Sequence, residues 1–192
     1  MYSTPNELFT KHLLPAYPRG WIGTVKGDLV TAVAKNHETA LAMSPIKDAD
    51  QRETIRQQII RMRDVGLEEM QSDQGLVFAR LDEAIEKIDH WYDRARIDAL
   101  IEGDPTPDES GISDVFIRTV EIAAILGSHL IELDPSIEWC PVIPYWESPL
   151  FHSKSGTLVN VYHWSIKRFT DYGIDDGLIG KCQACIGVLS GK

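Results

Sequence analysis

The chain has 192 residues, of which 43% are hydrophobic and 25% charged, a composition typical of one globular domain or of a domain with a helical extension. A chain of this length can bury roughly 70% of its unfolded surface, so neither a disulfide nor a metal is needed for folding. The net charge of −10 disfavours contact with phosphate backbones, so nucleic acid is not an expected partner.

The cysteines and the apolar runs predict a cytoplasmic protein with reduced thiols, because three cysteines accompany no export signal. The first residues, MYSTPNELFTKHLL, lack the basic start and apolar core of a signal peptide. No apolar run approaches the roughly 20 residues that a membrane-spanning helix needs, so we expect no membrane contact.

Acidic residues are concentrated in the second half of the chain. Residues 1–96 carry 13 basic and 15 acidic side chains, a net charge of −2, whereas residues 97–192 carry 6 and 14, a net charge of −8. Between residues 97 and 150, Arg118 is the only cation against eleven acids. Such a field favours basic partners, although surface acidity also serves solubility alone.

The sequence of the N-terminal half predicts an irregular arm followed by helices. Prolines among apolar residues predict that residues 1–22 form an arm that packs without regular structure. A first helix is expected over residues 28–43, and a second begins after Asp48 or Asp50, either of which can cap it, and ends near Ser72.

The third predicted helix carries the clearest apolar stripe. Leu81, Ile85, Ile88, Tyr92 and Ala95 step by four and three, and the stripe continues to residue 100 before Gly103 ends the helix. This narrow seam is typical of a helical bundle. Residues 104–111 then form a linker rich in proline and acidic side chains.

The second half changes from a helical to an alternating period. A fourth helix is expected from Ser113 to Asp134, with Gly127 permitting the close approach of another backbone. Three short strands follow over residues 137–142, 150–153 and 157–162, and Gly156 supplies the hairpin turn. A helical turn over residues 164–170 and a last helix over residues 176–189 complete the chain.

The expected fold is α+β and mainly helical: an N-terminal helical bundle joined to a helix plus a small three-stranded antiparallel sheet. Residues 1–103 form the bundle with its arm, and residues 112–192 form the α+β module. The linker is short, so we expect both parts to pack as one compact unit.

A resemblance adds to this picture. The residues Leu126-Gly127-Ser128-His129-Leu130, Trp139, Pro149-Leu150, Val159-Asn160-Val161 and Lys167-Arg168 occur in this order along the chain. The segment of residues 112–177 resembles a group of uncharacterised bacterial α+β domains, some of which occur near toxin and immunity systems. The resemblance implies an α+β fold rather than a particular activity.

Two sets of side chains suggest metal or redox chemistry. Cys182-x-x-Cys185 has the spacing of half a zinc site or of a redox pair, but both cysteines fall in the middle of an apolar helix, which favours buried, inert thiols. Glu86, Asp89 and His90, with His129 and Glu132, offer carboxylate and imidazole ligands. No Glu-x-x-His motif is present, which favours a solvated face and no cofactor.

Serine and histidine residues flank the predicted hairpin. A Ser-His-acid arrangement can be drawn from this set, but no nucleophile-elbow sequence accompanies it, which favours ordinary turn residues. The set comprises His152, His163, Ser153, Ser155 and Ser165.

The irregular loop of residues 144–149 predicts the most specific function. Exposed Tyr145 and Trp146 would anchor an interface, and Glu147, Glu132 and Glu138 would add negative charge. We therefore expect a protein-binding module, such as an immunity or regulatory protein, that engages a basic protein partner. The alternatives are a metal-dependent hydrolase using His and carboxylate residues, and an oligomeric subunit that pairs through the seam of residues 81–95.

Overall fold

The computed structural model describes residues 1–17, 46, 48–104 and 112–191. Over these residues the protein is a mainly helical α+β structure with one small three-stranded antiparallel sheet, which confirms the predicted fold class. The predicted helix of residues 28–43 lies outside the described residues, as does the linker after residue 104.

The N-terminal arm, residues 1–17, is helical rather than irregular, so that prediction was wrong. Helix α1 (Pro5–Leu8) leads into a π-helical segment (Phe9–Leu13) and a 3₁₀ turn (Leu14–Ala16). Thr4 and Glu7 form a reciprocal capping box that satisfies the free amides at the start of α1. The prolines are accommodated because each lies in the first turn of its segment, where no intrahelical amide bond is lost.

Helix α2 (Ala49–Ser72) begins and ends where the sequence predicts. The Asp48 carboxylate accepts a hydrogen bond from the amide of Asp50 at 3.0 Å, which caps the helix. Gly66 lies in its interior, where an added Cβ would come within 2.8 Å of the Glu121 side chain. The glycine that weakens the isolated helix thus permits close packing against a neighbouring one.

The third predicted helix is two helices, α3 (Leu81–Trp91) and α4 (Arg94–Gly103), so its continuity was wrongly predicted. Asp93 caps α4 by accepting from the amide of Arg96 at 2.9 Å. The backbone carbonyl of Tyr92, at the break, accepts a hydrogen bond from Arg168 at 3.1 Å. The seam residues Ile85 and Ile88 are buried in the chain's own core.

Helix α5 (Asp114–Leu133) forms the centre of the fold, and 14 of its 20 residues are buried. Ser113 caps it, as predicted, by accepting from the amide of Phe116 at 3.1 Å. Gly127 does permit a close approach, but the group that fills the space is the indole of Trp139 rather than another backbone.

The sheet joins β1 (Ile137–Trp139), β2 (Leu150–His152) and β3 (Thr157–Val159) in sequential antiparallel order. Each strand is shorter than predicted. Gly156 has the positive φ expected of the turn between β2 and β3. The third strand ends early because Asn160 caps helix α6 (Val161–Arg168), which replaces the predicted turn of residues 164–170.

Helix α7 (Leu178–Leu189) begins two residues later than predicted. Asp89 of α3 accepts a hydrogen bond from the amide of Leu178 at 2.7 Å, so a distant carboxylate caps this helix. The core contains buried residues from before residue 104 and from after residue 112. Within the described part of the chain, no helix is both long and apolar enough to cross a bilayer.

Candidate functional site

Several of the described acids of residues 97–150 lie in two groups at opposite ends of α5, while Glu121 lies within the helix. One group, with Glu102 and Asp114, lies at the start of α5, and the other, with Glu132 and Glu138, lies at its end. A helix of twenty residues is about 30 Å long. The described residues of the acidic stretch therefore do not form one continuous surface.

Arg118, the only cation in that stretch, lies within the structure. Its guanidinium pairs with the carboxylates of Glu69 on α2 and Glu121 on its own helix, the latter at 2.6 Å. Burial raises the pKa of Glu121 to about 7, although Arg118 opposes the shift. Arg118 is held by this cluster and does not offset the exposed acids at either end of α5.

The predicted interface anchors lie mostly inside the fold. Trp146 is half-buried and packs edge-on against Phe116 and Tyr17, with ring centroids 5.0 and 5.7 Å apart. Tyr145 is also half-buried, and Glu147 is only 5% exposed. Glu147 was predicted to lie on the outer surface, but it is buried at the end of the 3₁₀ turn Tyr145–Glu147, where its carboxyl accepts a hydrogen bond from Tyr17.

An open groove lies at the other end of α5, where Glu132 was predicted to bind a partner. It has a volume of about 750 Å³ and runs between the second half of α2, the start of α3 and the end of α5. Its apolar side chains are Leu67, Phe78, Leu81 and Leu133. Leu133 is 48% exposed, so the groove offers apolar surface that the described chain leaves uncovered.

The charges around the groove leave a surplus carboxylate. Arg63 pairs with Asp64 at 2.7 Å, and the Nε of Arg80 donates to Asp82 at 2.9 Å. No salt bridge among the described residues includes Glu132, which is exposed at the rim.

A histidine lies beneath the same rim. His129 is buried, and burial lowers its pKa although Asp82 and Glu132 oppose the shift. Its ring is therefore neutral at pH 7, and the groove presents an apolar wall with one unpaired negative charge.

The candidate metal ligands do not converge. Glu86 and His90 are exposed on α3, where the Nδ1 of His90 lies 2.6 Å from the carbonyl oxygen of Glu86, while Asp89 turns away to cap α7. No group of three or more potential ligands that could hold a metal ion occurs in residues 1–17, 46, 48–104 and 112–191.

The cysteines are free thiols in apolar surroundings. Cys182 is buried, and its burial, with smaller contributions from Cys185 and Asp89, raises its pKa to about 12. Burial also raises the pKa of Cys185 and of Cys140. Thiols with raised pKa values are poor nucleophiles and poor metal ligands at neutral pH.

The hairpin brings together part of the Ser-His set. Ser155 Oγ lies 2.7 Å from Nδ1 of His152, and Nε2 of His152 lies 3.3 Å from Asp134, an acid that sequence reasoning did not assign to this set. Nε2 makes no hydrogen bond there, and Ser155 is exposed at the hairpin tip. The backbone amide of Thr157 also donates to Ser155 Oγ, so the arrangement organises the turn.

The other members of that set lie in α6 and in the turn after β2. Ser165 donates to the carbonyl of Val161 in its own helix, and His163 is buried beside it. Ser153 donates to the carbonyl of Ser136.

Sequence reasoning missed the groove because its apolar residues follow helical spacing. Their helical spacing predicts that Leu67 and Leu81 belong to apolar stripes that face the core. The neighbouring sequence does not indicate that the α2–α3 connection leaves the outer sides of these two residues open. The one available signal was Leu133, an apolar residue between Glu132 and the Asp134-Pro135 terminator of α5.

The resemblance of residues 112–177 to uncharacterised bacterial domains stays a prediction. No protein-family model matches the chain, and no match was found among curated proteins or solved structures.

Proposed function

We propose that the chain is a protein-binding module whose groove holds a segment of a partner that combines an apolar with a basic side chain. The apolar side chain packs on Leu133 and Phe78, and the basic one pairs with Glu132. Binding of this kind suits an immunity or regulatory protein that engages a basic partner.

One observation supports this proposal above the rest: exposed Leu133 lies beside Glu132, an acid with no cation in ion-pair distance among the residues described. An exposed apolar side chain is common, but an apolar groove with an unpaired charge at its rim is a combination found at interfaces. The volume of about 750 Å³ accommodates several partner side chains.

The two parts of the groove have different energetic roles. Burial of one partner leucine or phenylalanine contributes about 1.5–3 kcal/mol. An exposed ion pair with Glu132 contributes about 0.2–1 kcal/mol. The apolar wall therefore supplies most of the affinity, and the carboxylate selects basic over acidic partners and speeds association.

A peptide titration followed by ¹⁵N NMR tests the proposal. The probe is a synthetic peptide of alternating leucine and lysine, and its counterpart replaces each lysine with glutamate. We expect the basic peptide to shift the amide resonances of α2, α3 and α5 that border the groove. Glu132→Lys should weaken binding at least about five-fold, and Leu133→Asp about ten-fold or more.

Glu138→Lys is the matched control, because Glu138 is an exposed acid near the same end of α5 and its substitution changes the net charge equally. It should leave the affinity unchanged within about two-fold. Equal losses for Glu132→Lys and Glu138→Lys, or resonance shifts spread over all acidic surfaces, would show that only net charge attracts the peptide and would refute the groove.

A further inference from the structure

A carboxyl group lies inside the core at the junction between the N-terminal arm and the 3₁₀ turn. Glu147 and Tyr17 are each 5% exposed, and the Tyr17 hydroxyl donates a hydrogen bond to the Glu147 carboxyl. The two residues are 130 positions apart in the sequence. This bond therefore joins the end of the arm to the body of the protein.

The surroundings of this carboxyl are aromatic. Tyr162 of α6 lies close to it, and Tyr145 and Trp146 precede it in the turn. No salt bridge of the described residues includes Glu147. Burial raises the pKa of Glu147 to about 7, against the smaller opposing influence of the Tyr17 hydrogen bond.

We propose that the N-terminal arm is a strap whose docking on the core is favoured by neutral Glu147, and that ionisation of this carboxyl promotes its release. The neutral acid tolerates an apolar site and accepts the tyrosine hydrogen bond. The carboxylate has no cation to pair with among the described residues, so it gains by reaching water. Water reaches it when Tyr17 and the arm before it leave the core.

The rest of the arm is held by groups of a different kind. The amide of Asp171 donates to the carbonyl of Tyr2 at 3.0 Å, and Ser113 Oγ donates to the carbonyl of His12 at 3.2 Å. These two hydrogen bonds join neutral groups and do not titrate near neutral pH, whereas the start of the arm is also held by the ion pair between the N-terminal ammonium of Met1 and Asp98.

His12 is a titratable side chain of the arm itself, with Asp104, Lys11 and the Tyr2 hydroxyl around it. Burial lowers its pKa against the attraction of Asp104, so its effect on docking has the opposite sign. The docked state disfavours the protonated form of His12. As the pH rises and His12 loses its proton, this penalty disappears, so docking becomes stronger.

The pH dependence follows from linkage. A glutamate in water ionises near 4.5 and the docked Glu147 near 7, so docking is fully favoured below 4.5 and weakens as the pH rises toward 7. Over that range the ratio of released to docked arm increases up to ten-fold per pH unit, or about 300-fold in all, and then levels off.

Hydrogen exchange of the full chain between pH 5 and 8 measures this ratio. Exchange rates of the amides in residues 5–17 are divided by the intrinsic chemical rate at each pH. In the unmodified protein the corrected rate should rise steeply up to pH 7 and then level off. In Glu147→Gln, whose amide oxygen still accepts from Tyr17, the rise should vanish and the small opposite trend from His12 should remain.

Two further variants separate release of the arm from general loosening. Tyr17→Phe keeps the carboxyl and removes its donor, so arm exchange should be faster at every pH. Glu138→Gln removes an exposed carboxyl and should behave as the unmodified protein. A rise of less than about three-fold in the unmodified protein, an unchanged rise in Glu147→Gln, or arm amides that exchange no faster than those of α5 would each overturn the strap.

Discussion

Replacing Gly127 by alanine should strongly destabilise the fold, although alanine is the better helix former. A Cβ at this position would lie 2.1 Å from Cη2 and 2.2 Å from Cζ2 of Trp139, against an ordinary carbon–carbon separation of about 3.5 Å. The indole must therefore move by more than an ångström. Trp139 is 7% exposed and is fixed between α5 and the sheet, so the movement disturbs both.

The magnitude follows from two opposing effects. The higher helix propensity of alanine contributes about 0.5–1 kcal/mol of stability. Overpacking costs about 1–3 kcal/mol, and expulsion of the tryptophan would cost about 3–5 kcal/mol. We expect a net loss of about 2–4 kcal/mol in the free energy of unfolding, measured by urea denaturation followed by circular dichroism.

A matched substitution elsewhere should have the opposite sign. Gly180 lies in α7 with nothing within 4 Å of an added Cβ, so Gly180→Ala should stabilise the protein by up to about 1 kcal/mol. The double variant Gly127→Ala/Trp139→Leu should lose less stability than the sum of the losses in the two single variants, because the smaller leucine leaves room for the added Cβ. A Gly127→Ala protein as stable as the unmodified one would refute the packing argument.

Three other substitutions have defined outcomes. Trp146→Ala should lower the free energy of unfolding by about 3–5 kcal/mol in urea denaturation and leave peptide affinity unchanged, because its ring packs on Phe116 inside the fold. Burial raises the pKa of Glu121 to about 7, so its contribution to stability is complete below about pH 4.5 and is lost as the pH rises through 7. Glu121→Gln should therefore reduce the pH dependence of the free energy of unfolding, measured by urea denaturation, by about 3 kcal/mol over that range. Asp93→Ala removes the cap of α4 and should cost about 1 kcal/mol, seen as faster hydrogen exchange in that helix.

The parts of the fold that the sequence predicted correctly are determined locally. Asp48 and Ser113 cap α2 and α5 through their own side chains, and Gly156 turns the hairpin through its own backbone. Each of these signals acts within a few residues, so position and residue type suffice to recognise it.

The break between α3 and α4 was missed because the apolar stripe continues across it. Residues on both sides of the break are buried in the same core, so the period does not change. The break is accompanied by hydrogen bonds from Arg168 to carbonyls of Asp89 and Tyr92, more than 70 positions away in the sequence. A contact of that separation leaves no local pattern.

The distribution of charge at the candidate site also depends on the fold and could not be predicted from the sequence. Counting along the chain correctly identified an excess of acids, but several of them lie at opposite ends of α5, and Glu121 on α5 and Glu147 in the 3₁₀ turn are buried. A buried carboxyl adds no surface potential. It adds instead a proton-linked contribution to stability, which a sequence count cannot reveal.

The separation of these two regions makes the groove and the strap independently testable. Phe116, which contacts Trp146, and Glu132 at the groove are sixteen residues apart on α5, about 24 Å along the helix. Sites that far apart with no shared partner contribute additively. Glu147→Gln should therefore leave the affinity for the basic peptide unchanged, and Glu132→Lys should leave the pH profile of arm exchange unchanged. If either substitution alters the other readout, α5 couples its two ends, and neither region acts alone.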